Sequence, residues 1–268
     1  MQTHFNRAFK YGDGLFETIR VRQGKILFLE KHFARLSKGL NTLQMQDSKK
    51  PLSLDSFQEI LQDFLSKQSD ANLRIRITFF RKGGGLYTPN ETDYDYYIEG
   101  SPLCQEAFEL NIDGLRLGCC TTVQLPIDQL SNLKTTSALP YVLAALEKKA
   151  KAWQDCLILN SKGAIAESIA ANVFVVKNQK IYTPDLNEGC IAGVMRQNVI
   201  EIAEEMKMVL EQGTLVWKDV LEADEIWLTN SIRGIQWVSQ VEGRSNILTN
   251  KRAKRLITRL NQKVEAKL

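Results

Sequence analysis

Hydrophobic and polar residues in the first half of the chain follow two periods, one typical of strands and one of helices. Alternation with a period of two predicts half-buried strands, and apolar residues three and four positions apart predict amphipathic helices. We predict strands over residues 14–21, 25–29, 73–80, 94–99 and 110–117, and helices over residues 30–43 and 53–67. The pattern indicates an α+β domain over about residues 1–121.

The second half begins with a stretch of weak periodicity, residues 121–132, which we predict to be a linker. A helix follows it, and its predicted apolar stripe consists of Leu139, Val142, Leu146 and Ala150. We predict further strands at residues 156–159, 173–176, 180–182 and 225–229, and a helix over residues 194–206. These elements indicate a larger C-terminal domain over about residues 122–268.

The last predicted helix carries Leu256, Ile257 and Leu260 on one side. Its basic residues are expected to coat the solvent face, and binding of an anionic partner is the alternative. These residues are Lys251, Arg252, Lys254, Arg255 and Arg259.

Composition narrows the classes of function. The 268 residues are 44% apolar and 25% charged, which is ordinary for a globular protein with a sizeable core. The net charge of +4 is too small to argue for nucleic-acid binding and suits a small anionic substrate weakly. No apolar run approaches the roughly 18 residues of a membrane span, and the first residues lack the apolar core of a signal peptide. We therefore expect a cytoplasmic protein.

Few residues are available for metal binding or for a histidine-based triad. The chain has two histidines, and its five cysteines form no CxxC pair. Adjacent Cys119 and Cys120 would point to opposite faces of a strand, so a disulfide between them is not expected. Without a metal site, the chemistry must come from lysine, acids, hydroxyls or a bound cofactor.

One lysine and one glutamate are the first candidates for that chemistry. Lys134 lies just before a predicted helix, and Glu167 follows 33 residues later. A lysine amine can form a Schiff base with an aldehyde cofactor, and a carboxylate can keep the ring nitrogen of that cofactor protonated. Taken alone, a solvated lysine and a glutamate that closes a turn are the commoner interpretations.

Several motifs occur together in one order. They are residues 11–20, residues 32–36, Lys134, Glu167 with Asn172, residues 189–196 and residues 223–231. In this order and spacing they resemble the class IV (fold type IV) pyridoxal-phosphate enzymes, which include branched-chain aminotransferases, D-amino-acid aminotransferases and 4-amino-4-deoxychorismate lyases. The resemblance spans nearly the whole chain. It implies a two-domain D-amino-acid aminotransferase-like fold, with the cofactor in the interdomain cleft, and a homodimer.

The resemblance also implies roles for individual residues. Lys134 would form the Schiff base with pyridoxal 5′-phosphate and move the proton at the reacting carbon, and Glu167 would pair with the pyridine nitrogen. Arg35 would bind the cofactor phosphate, for which a planar fork of donors is well suited. The helix start at Val194 and Met195 and the hydroxyl of Ser231 would contribute further donors.

Each of these three phosphate assignments has a plainer alternative. Arg35 could be a surface residue of an amphipathic helix, Gly193 only a turn before a helix, and Ser231 an N-cap.

Three features favour a lyase within the family. Thr18 stands where branched-chain aminotransferases usually have glycine, and the lyases are similar to this chain in carrying threonine there. Residues 229–235 and 170–172 also resemble the lyase versions of their loops. A threonine that simply suits a strand is an equal interpretation of Thr18.

The substrate of such a lyase has two carboxylates, and three cations are candidates to bind them. They are Arg76, Arg81 and Lys82, for which solvated strand-end charges are the alternative. Ser137 replaces the asparagine that the family usually has three residues after the lysine. The glycine loop also lacks the second arginine of some relatives, and both departures bear on the substrate.

The resemblance implies conversion of 4-amino-4-deoxychorismate to 4-aminobenzoate, a folate precursor, and pyruvate. The first alternative is an aminotransferase acting on D- or branched-chain amino acids. The second is a non-catalytic interaction protein that uses its basic C-terminal helix.

Overall fold

The structure is a computed structural model that describes residues 6–47, 51–266 and 268. The chain forms two compact units, which are Met1–Glu106 with Leu133–Ala138, and Ala107–Asn132 with Leu139–Leu268. The predicted boundary after residue 121 falls inside a strand of the second unit, Leu115–Leu125. Residues 133–138 belong to the first unit because they run along its first strand.

The first unit contains an antiparallel sheet of four strands. The strands are β1 (Gly14–Arg22), β2 (Lys25–Ile26), β3 (Leu73–Arg81) and β4 (Tyr94–Pro102), and their order is β2-β1-β3-β4. The helices are α1 (Arg7–Tyr11), α2 (Leu29–Thr42) and α3 (Leu54–Leu65). The strands and helices predicted from periodicity here are confirmed, with two exceptions. The strand predicted at 25–29 ends at Ile26, and the predicted strand at 110–117 belongs to the second unit, where it begins at Leu115.

Alternation along β1 and β3 separates the two faces of this sheet. Ile19 and Ile77 belong to the core cluster, together with Leu36 of α2 and Phe57 of α3. Ser53 caps α3 by accepting a hydrogen bond from the Ser56 N–H, which satisfies a donor at the helix start. The alternate residues of the strands lie on the other face, where Thr18 and Arg76 are found, whereas Arg81 shares the alternation of the core residues of β3.

The second unit contains an eight-stranded mixed sheet, in the order β10-β9-β8-β11-β12-β5-β6-β7. Its strands are β5 (Leu115–Leu125), β6 (Asp155–Asn160), β7 (Ile165–Ser168), β8 (Asn172–Lys177), β9 (Lys180–Pro184), β10 (Leu210–Gly213), β11 (Glu225–Asn230) and β12 (Gly234–Val241). Its helices are α4 (Leu139–Ala150), α5 (Val194–Glu205), α6 (Trp217–Leu221) and α7 (Lys251–Glu265). A 3₁₀ helix, Leu186–Glu188, precedes α5.

Two sequence-based expectations about this unit are wrong. The predicted linker at 121–132 begins inside β5, which continues to Leu125 because its last residues, Gln124 and Leu125, pair with β6. The predicted stripe of α4 does not face the core, since Leu139 and Leu146 are 75% and 59% exposed. The helix packs instead through Ala144, which is fully buried with Cys156 of β6. A helical period identifies a helix without identifying which face is buried.

The last helix agrees with its predicted orientation, since Leu256, Ile257 and Leu260 are buried. Within the described part of the chain, no helix combines the length and the apolar character that crossing a membrane requires.

Candidate active site

The segment that carries Lys134 continues the sheet of the first unit. β2 covers only one end of β1, so the other end of this edge is available for pairing. There the Phe16 N–H donates to the Lys134 carbonyl at 2.9 Å, and the Thr136 N–H donates to the Gly14 carbonyl at 2.9 Å. Main-chain pairing on both sides therefore fixes the backbone of Lys134 against β1.

A close contact at Gly12 fixes the following residues. Gly12 has a φ of +70°, and a β-carbon at that position would lie 2.3 Å from Ser137 Oγ. The Thr136 hydroxyl donates to the Gly12 carbonyl at 2.9 Å. Glycine is required here by both its conformation and its neighbour. The structure thus gives Ser137, which departs from the family pattern, a place beside Gly12.

The lysine amine and an arginine share one aromatic ring. Lys134 Nζ lies 4.6 Å from the centre of the Phe16 ring, and the Arg76 guanidinium carbon lies 3.6 Å from it. Thr18 lies directly opposite Arg76 in the pairing of β1 with β3. Cation–π contacts with one ring hold both cations near Phe16. An amine, a hydroxyl-bearing residue and a guanidinium are therefore collected around one end of the sheet.

Arg76 is only partly compensated by its neighbours. Its Nε lies 3.7 Å from Glu99 Oε1, and its side chain is 30% exposed. Burial lowers the pKa of the Arg76 guanidinium, and Glu99 opposes that effect. A half-buried arginine with a distant acid is suited to bind a carboxylate.

Arg35 is held by a buried acid that the sequence analysis did not assign. Glu17 is 1% exposed on the core face of β1. Its carboxylate accepts from Arg35 Nε at 2.8 Å and from Arg35 Nη2 at 2.5 Å, and it lies 2.7 Å from His32 Nδ1. The bidentate contact orients the guanidinium of Arg35, which is 10% exposed. Arg35 is therefore not an ordinary surface residue of α2.

The protonation states in this cluster follow from its burial and charges. Burial by itself raises the pKa of Glu17, but Arg35 and His32 outweigh it and hold the value at about 2. Burial lowers the pKa of His32, with Glu17 opposing. Glu17 is thus ionised at neutral pH, and His32 is neutral.

Arg81 and Lys82 lie in different settings. Arg81 donates to Asp13 through Nε at 3.0 Å and to the carbonyls of Leu43 and Gln44. Asp13 also accepts from Arg7 Nε at 2.7 Å. Burial raises the pKa of Asp13, but the hydrogen bonds and charges of Arg81 and Arg7 outweigh burial and hold the pKa below its ordinary value. These contacts engage Arg81 structurally, whereas Lys82 is exposed at the start of the glycine loop.

Glu167, in the second unit, is a buried acid that accepts hydrogen bonds from three neutral donors. It is 3% exposed at β7. Its Oε1 accepts from the Tyr141 hydroxyl at 2.7 Å, and its Oε2 accepts from the Ile191 N–H at 3.0 Å and from Asn172 Nδ2 at 3.3 Å. Donors from three separate segments fix both carboxylate oxygens.

Asn172 connects this acid to the start of α5. Its Nδ2 also donates to the Ile191 carbonyl at 2.8 Å. A β-carbon on Gly193 would lie 1.9 Å from Asn172 Oδ1. Only glycine therefore allows the helix start to lie against the loop of Glu167. The structure shows why residues 167–172 and 189–196 occur as a pair of motifs.

The start of α5 and the end of β11 offer donors for an anion. Gly193 is the N-cap of α5 and makes no side-chain cap, so the turn of Val194 and Met195 presents main-chain N–H groups. Thr229 Oγ1 is buried and has no hydrogen-bond partner among the described residues. Ser231 lies in the turn between β11 and β12, not at a helix start, so the N-cap interpretation is wrong.

The order of these elements agrees with a known family. The sequence model of the amino-transferase class IV family matches residues 14–241. The chain belongs to the class IV aminotransferase family. The predicted resemblance is confirmed, and members of this family use pyridoxal phosphate.

Individual relatives of the class IV family fall on both sides of the lyase–aminotransferase division. The chain is 30% identical over 259 residues to the aminodeoxychorismate lyase of Vibrio harveyi, covering 91% of this chain and 90% of that protein. It is 25% identical over 249 residues to the D-alanine aminotransferase of Bacillus licheniformis, covering 90% and 83%. The crystal structure of 4-amino-4-deoxychorismate lyase from Pseudomonas aeruginosa matches with a TM-score of 0.84 and 28% identity, covering 98% and 94%. These matches confirm the predicted fold class.

The residues of the second unit fit the family cofactor. A fixed carboxylate suits a protonated ring nitrogen, and the uncapped helix with the unpartnered Thr229 hydroxyl suits a phosphate. Among the described residues, no group of three or more histidine, cysteine or acidic side chains could hold a metal ion.

Sequence reasoning gave no role to three residues of these clusters. Glu17 and His32 lie within the quoted motifs, and the spacing of His32 and Arg35 on α2 could have suggested one shared helix face. Tyr141 gave no signal, because its contact with Glu167 joins residues 26 positions apart.

Proposed function

We propose that the protein is a pyridoxal-phosphate-dependent lyase that converts 4-amino-4-deoxychorismate into 4-aminobenzoate and pyruvate. The observation that supports this most is the grouping of Lys134, Thr18 and Arg76 around Phe16. It offers a base, a hydroxyl and a cation to one small anionic molecule. The similarity to the Vibrio harveyi lyase over 91% of the chain supports the same activity.

In this proposal, each candidate residue has its own task toward the cofactor. Lys134 would hold its aldehyde covalently, and Glu167 would face its ring nitrogen. Arg35, Ser231 and the helix start at Val194 and Met195 would bind its phosphate. Pyridoxal phosphate, when bound, supplies a ring that accepts the electron pair released at the reacting carbon.

Lys134, Thr18 and Arg76 would have separate roles in the elimination. Lys134 Nζ takes the proton from the amine-bearing carbon of the substrate, and Thr18 lies near the departing enolpyruvyl oxygen. Loss of that proton and of the enolpyruvyl group leaves an aromatic ring, and the enolpyruvate takes up a proton to become pyruvate. Arg76 would bind a substrate carboxylate, with exposed Lys82 as a second cation. Arg81 is the weaker candidate because its donors bind Asp13 and main-chain carbonyls.

The assay follows both products. The purified protein, loaded with pyridoxal phosphate, receives chorismate with an amination system. We expect 4-aminobenzoate and pyruvate in equal amounts, with no 2-oxo acid added as an amino acceptor. Lys134→Ala should abolish both, and borohydride should fix the cofactor on the peptide that contains Lys134. Failure to release pyruvate with the wild-type protein would exclude the lyase.

An aminotransferase is the second candidate, favoured by the 25% identity to the D-alanine aminotransferase. It would need a D- or branched-chain amino acid together with 2-oxoglutarate. Glutamate formation that depends on the 2-oxo acid, without 4-aminobenzoate from the lyase substrate, would decide for it.

We also propose a cytoplasmic homodimer acting in the synthesis of a folate precursor. The exposed apolar residues of α4 support association, since Leu139, Val142 and Leu146 are at least half exposed in the single chain. Sedimentation equilibrium should give a mass near twice 30.5 kDa. Leu146→Lys should reduce that mass if α4 lies in the interface.

A further inference from the structure

The hydroxyl of Tyr141 lies beside the acid that is proposed to face the cofactor. Tyr141 is half-buried near the start of α4 and donates to Glu167 Oε1 at 2.7 Å. Neither the motifs nor the proposed mechanism uses this tyrosine. We propose that Tyr141 is a positioning residue that keeps the shared proton on the ring nitrogen of bound pyridoxal phosphate rather than on Glu167. The inference rests on the proposed cofactor role of Glu167.

Tyr141 binds a different oxygen of Glu167 from the other two described donors. Ile191 N–H and Asn172 Nδ2 donate to Oε2, whereas Tyr141 donates to Oε1. The carboxylate is therefore fixed at both oxygens, and Tyr141 provides the hydrogen bond that the structure describes at Oε1. A distance of 2.7 Å is typical of a hydroxyl that donates to an ionised acceptor.

The chemical consequence follows from which protonation state the bond favours. A hydrogen bond donated to a carboxylate stabilises the ionised form and makes the carboxylate a weaker base. A proton shared between this carboxylate and a pyridine nitrogen then lies closer to the nitrogen. A protonated ring is the better electron acceptor, so Tyr141 would act on the reaction through Glu167.

Tyr141 remains a donor throughout the useful pH range. Burial raises the pKa of its phenol, and the charge and hydrogen bond of Glu167 raise it further. The phenol therefore keeps its proton at neutral and moderately alkaline pH.

The experiment compares proteins that differ in one hydroxyl. Tyr141→Phe removes the donor and keeps the ring, so packing around α4 is preserved. Tyr182→Phe is the matched control, because Tyr182 lies on β9 of the same unit and packs beside a different core cluster. Each holoprotein is loaded with pyridoxal phosphate carrying ¹⁵N at the ring nitrogen. The ¹⁵N chemical shift then reports how far the proton resides on that nitrogen.

We expect wild type and Tyr182→Phe to give the same ring-nitrogen signal, near that of a protonated pyridine. Tyr141→Phe should move the signal toward neutral pyridine across the pH range of 6 to 8, with kcat reduced about tenfold. 3-Fluorotyrosine at position 141, a stronger donor, should move the signal the opposite way. A loss of packing alone would not produce this ordered series.

The outcomes separate this inference from the proposed function. If Tyr141→Phe binds the cofactor but its ring-nitrogen signal equals that of wild type, the role of Tyr141 is wrong and the lyase proposal stands. If wild type itself does not bind pyridoxal phosphate, or Glu167→Gln leaves the ring-nitrogen signal unchanged, the assignment of Glu167 fails and the inference fails with it.

Discussion

Each compact unit contains a buried glutamate, and the two are held in different ways. Glu17 in the first unit is 1% exposed and is bound by the guanidinium of Arg35 through two hydrogen bonds. Glu167 in the second unit is 3% exposed and accepts from a phenol, an amide and a main-chain N–H.

The difference in donors indicates a difference in role. A bidentate arginine compensates the charge of Glu17, so that carboxylate mainly orients Arg35. The donors described for Glu167 are neutral, so they fix the direction of its carboxylate and bring no positive charge of their own. A carboxylate fixed in this way suits a protonated ring nitrogen. Burial of a carboxylate therefore does not identify a functional acid, and the chemistry of its donors is more informative.

The largest expected effect comes from breaking the first cluster, which consists of Glu17, Arg35 and His32. Glu17→Gln should destabilise the first unit by about 3–5 kcal/mol, because it removes the carboxylate charge that the buried guanidinium of Arg35 binds through two hydrogen bonds. Hydrogen exchange of the β1 and β3 amides measures this directly. The four tryptophans all lie in the second unit, so their fluorescence provides an internal reference that should not change.

A double substitution tests the reason for that loss. Glu17→Gln combined with Arg35→Met removes both charges and should recover part of the stability. Removing both members of a buried ion pair costs less stability than removing one and leaving the other charge buried. A double variant no more stable than the single one would show that Glu17 acts through packing rather than charge. If Arg35 binds the cofactor phosphate, affinity for pyridoxal phosphate should fall most in the double variant.

The second cluster consists of Glu167 and its donors Tyr141, Asn172 and Ile191. Breaking it should reduce activity more than stability. Glu167→Gln should lower kcat about 10²–10³-fold through loss of a fixed charge, with little change in unfolding. The amide can turn its oxygen toward the Ile191 N–H and its NH₂ toward the Tyr141 hydroxyl, which can accept.

A third buried glutamate provides the control for that prediction. Glu225 is 1% exposed and accepts from the N–H groups of Arg252 and Ala253 at the start of α7. Glu225→Gln should lower the stability of the second unit by about 1 kcal/mol and leave kcat unchanged. Equal loss of activity in both variants would mean that Glu167 acts only through stability.

Asn172 should show an intermediate effect. Asn172→Ala removes the donations to Glu167 and to the Ile191 carbonyl, so we expect a loss of about 1–2 kcal/mol and a fall of about tenfold in kcat. Asn160→Ala is the matched control, because buried Asn160 holds the turn of residues 160–164 instead. It should destabilise the protein without a specific loss of activity.

Periodicity predicted the elements whose two faces differ most. β1, β3, α2 and α3 were predicted closely because their apolar faces meet in one core. The short strand β7 was missed because its four residues are all buried and show no alternation. The orientation of α4 was wrong because its apolar positions face outward.

The candidate site shows a similar limit. Lys134 and Glu167 were candidates from their chemistry, but the order of the motifs was needed to give them and Arg35 specific roles, since a single lysine, acid or arginine carries little signal of its own. Their partners depend on how the chain folds. Glu17 and Arg35 meet because a strand packs against a helix, and Tyr141 reaches Glu167 across 26 residues. Spacing along the chain does not encode contacts of this kind.

The smallest effect concerns pH and again distinguishes the first cluster. The pKa of His32 lies below its ordinary value of 6.5 because it is buried, so the unfolded chain binds a proton that the folded chain does not. The stability of the first unit should be complete above pH 6.5 and fall as the pH drops below it, by at most about 1.4 kcal/mol per pH unit.

Urea unfolding between pH 7 and 5, followed by exchange of the β1 amides, measures this slope, and His32→Asn should remove it. A second loss should begin only below pH 4.5, where the unfolded Glu17 takes up a proton that the folded carboxylate, with a pKa of about 2, does not. The two losses therefore begin at different pH values. An unchanged slope in His32→Asn would show that another group titrates between pH 7 and 5, and that His32 only fills space beside Glu17.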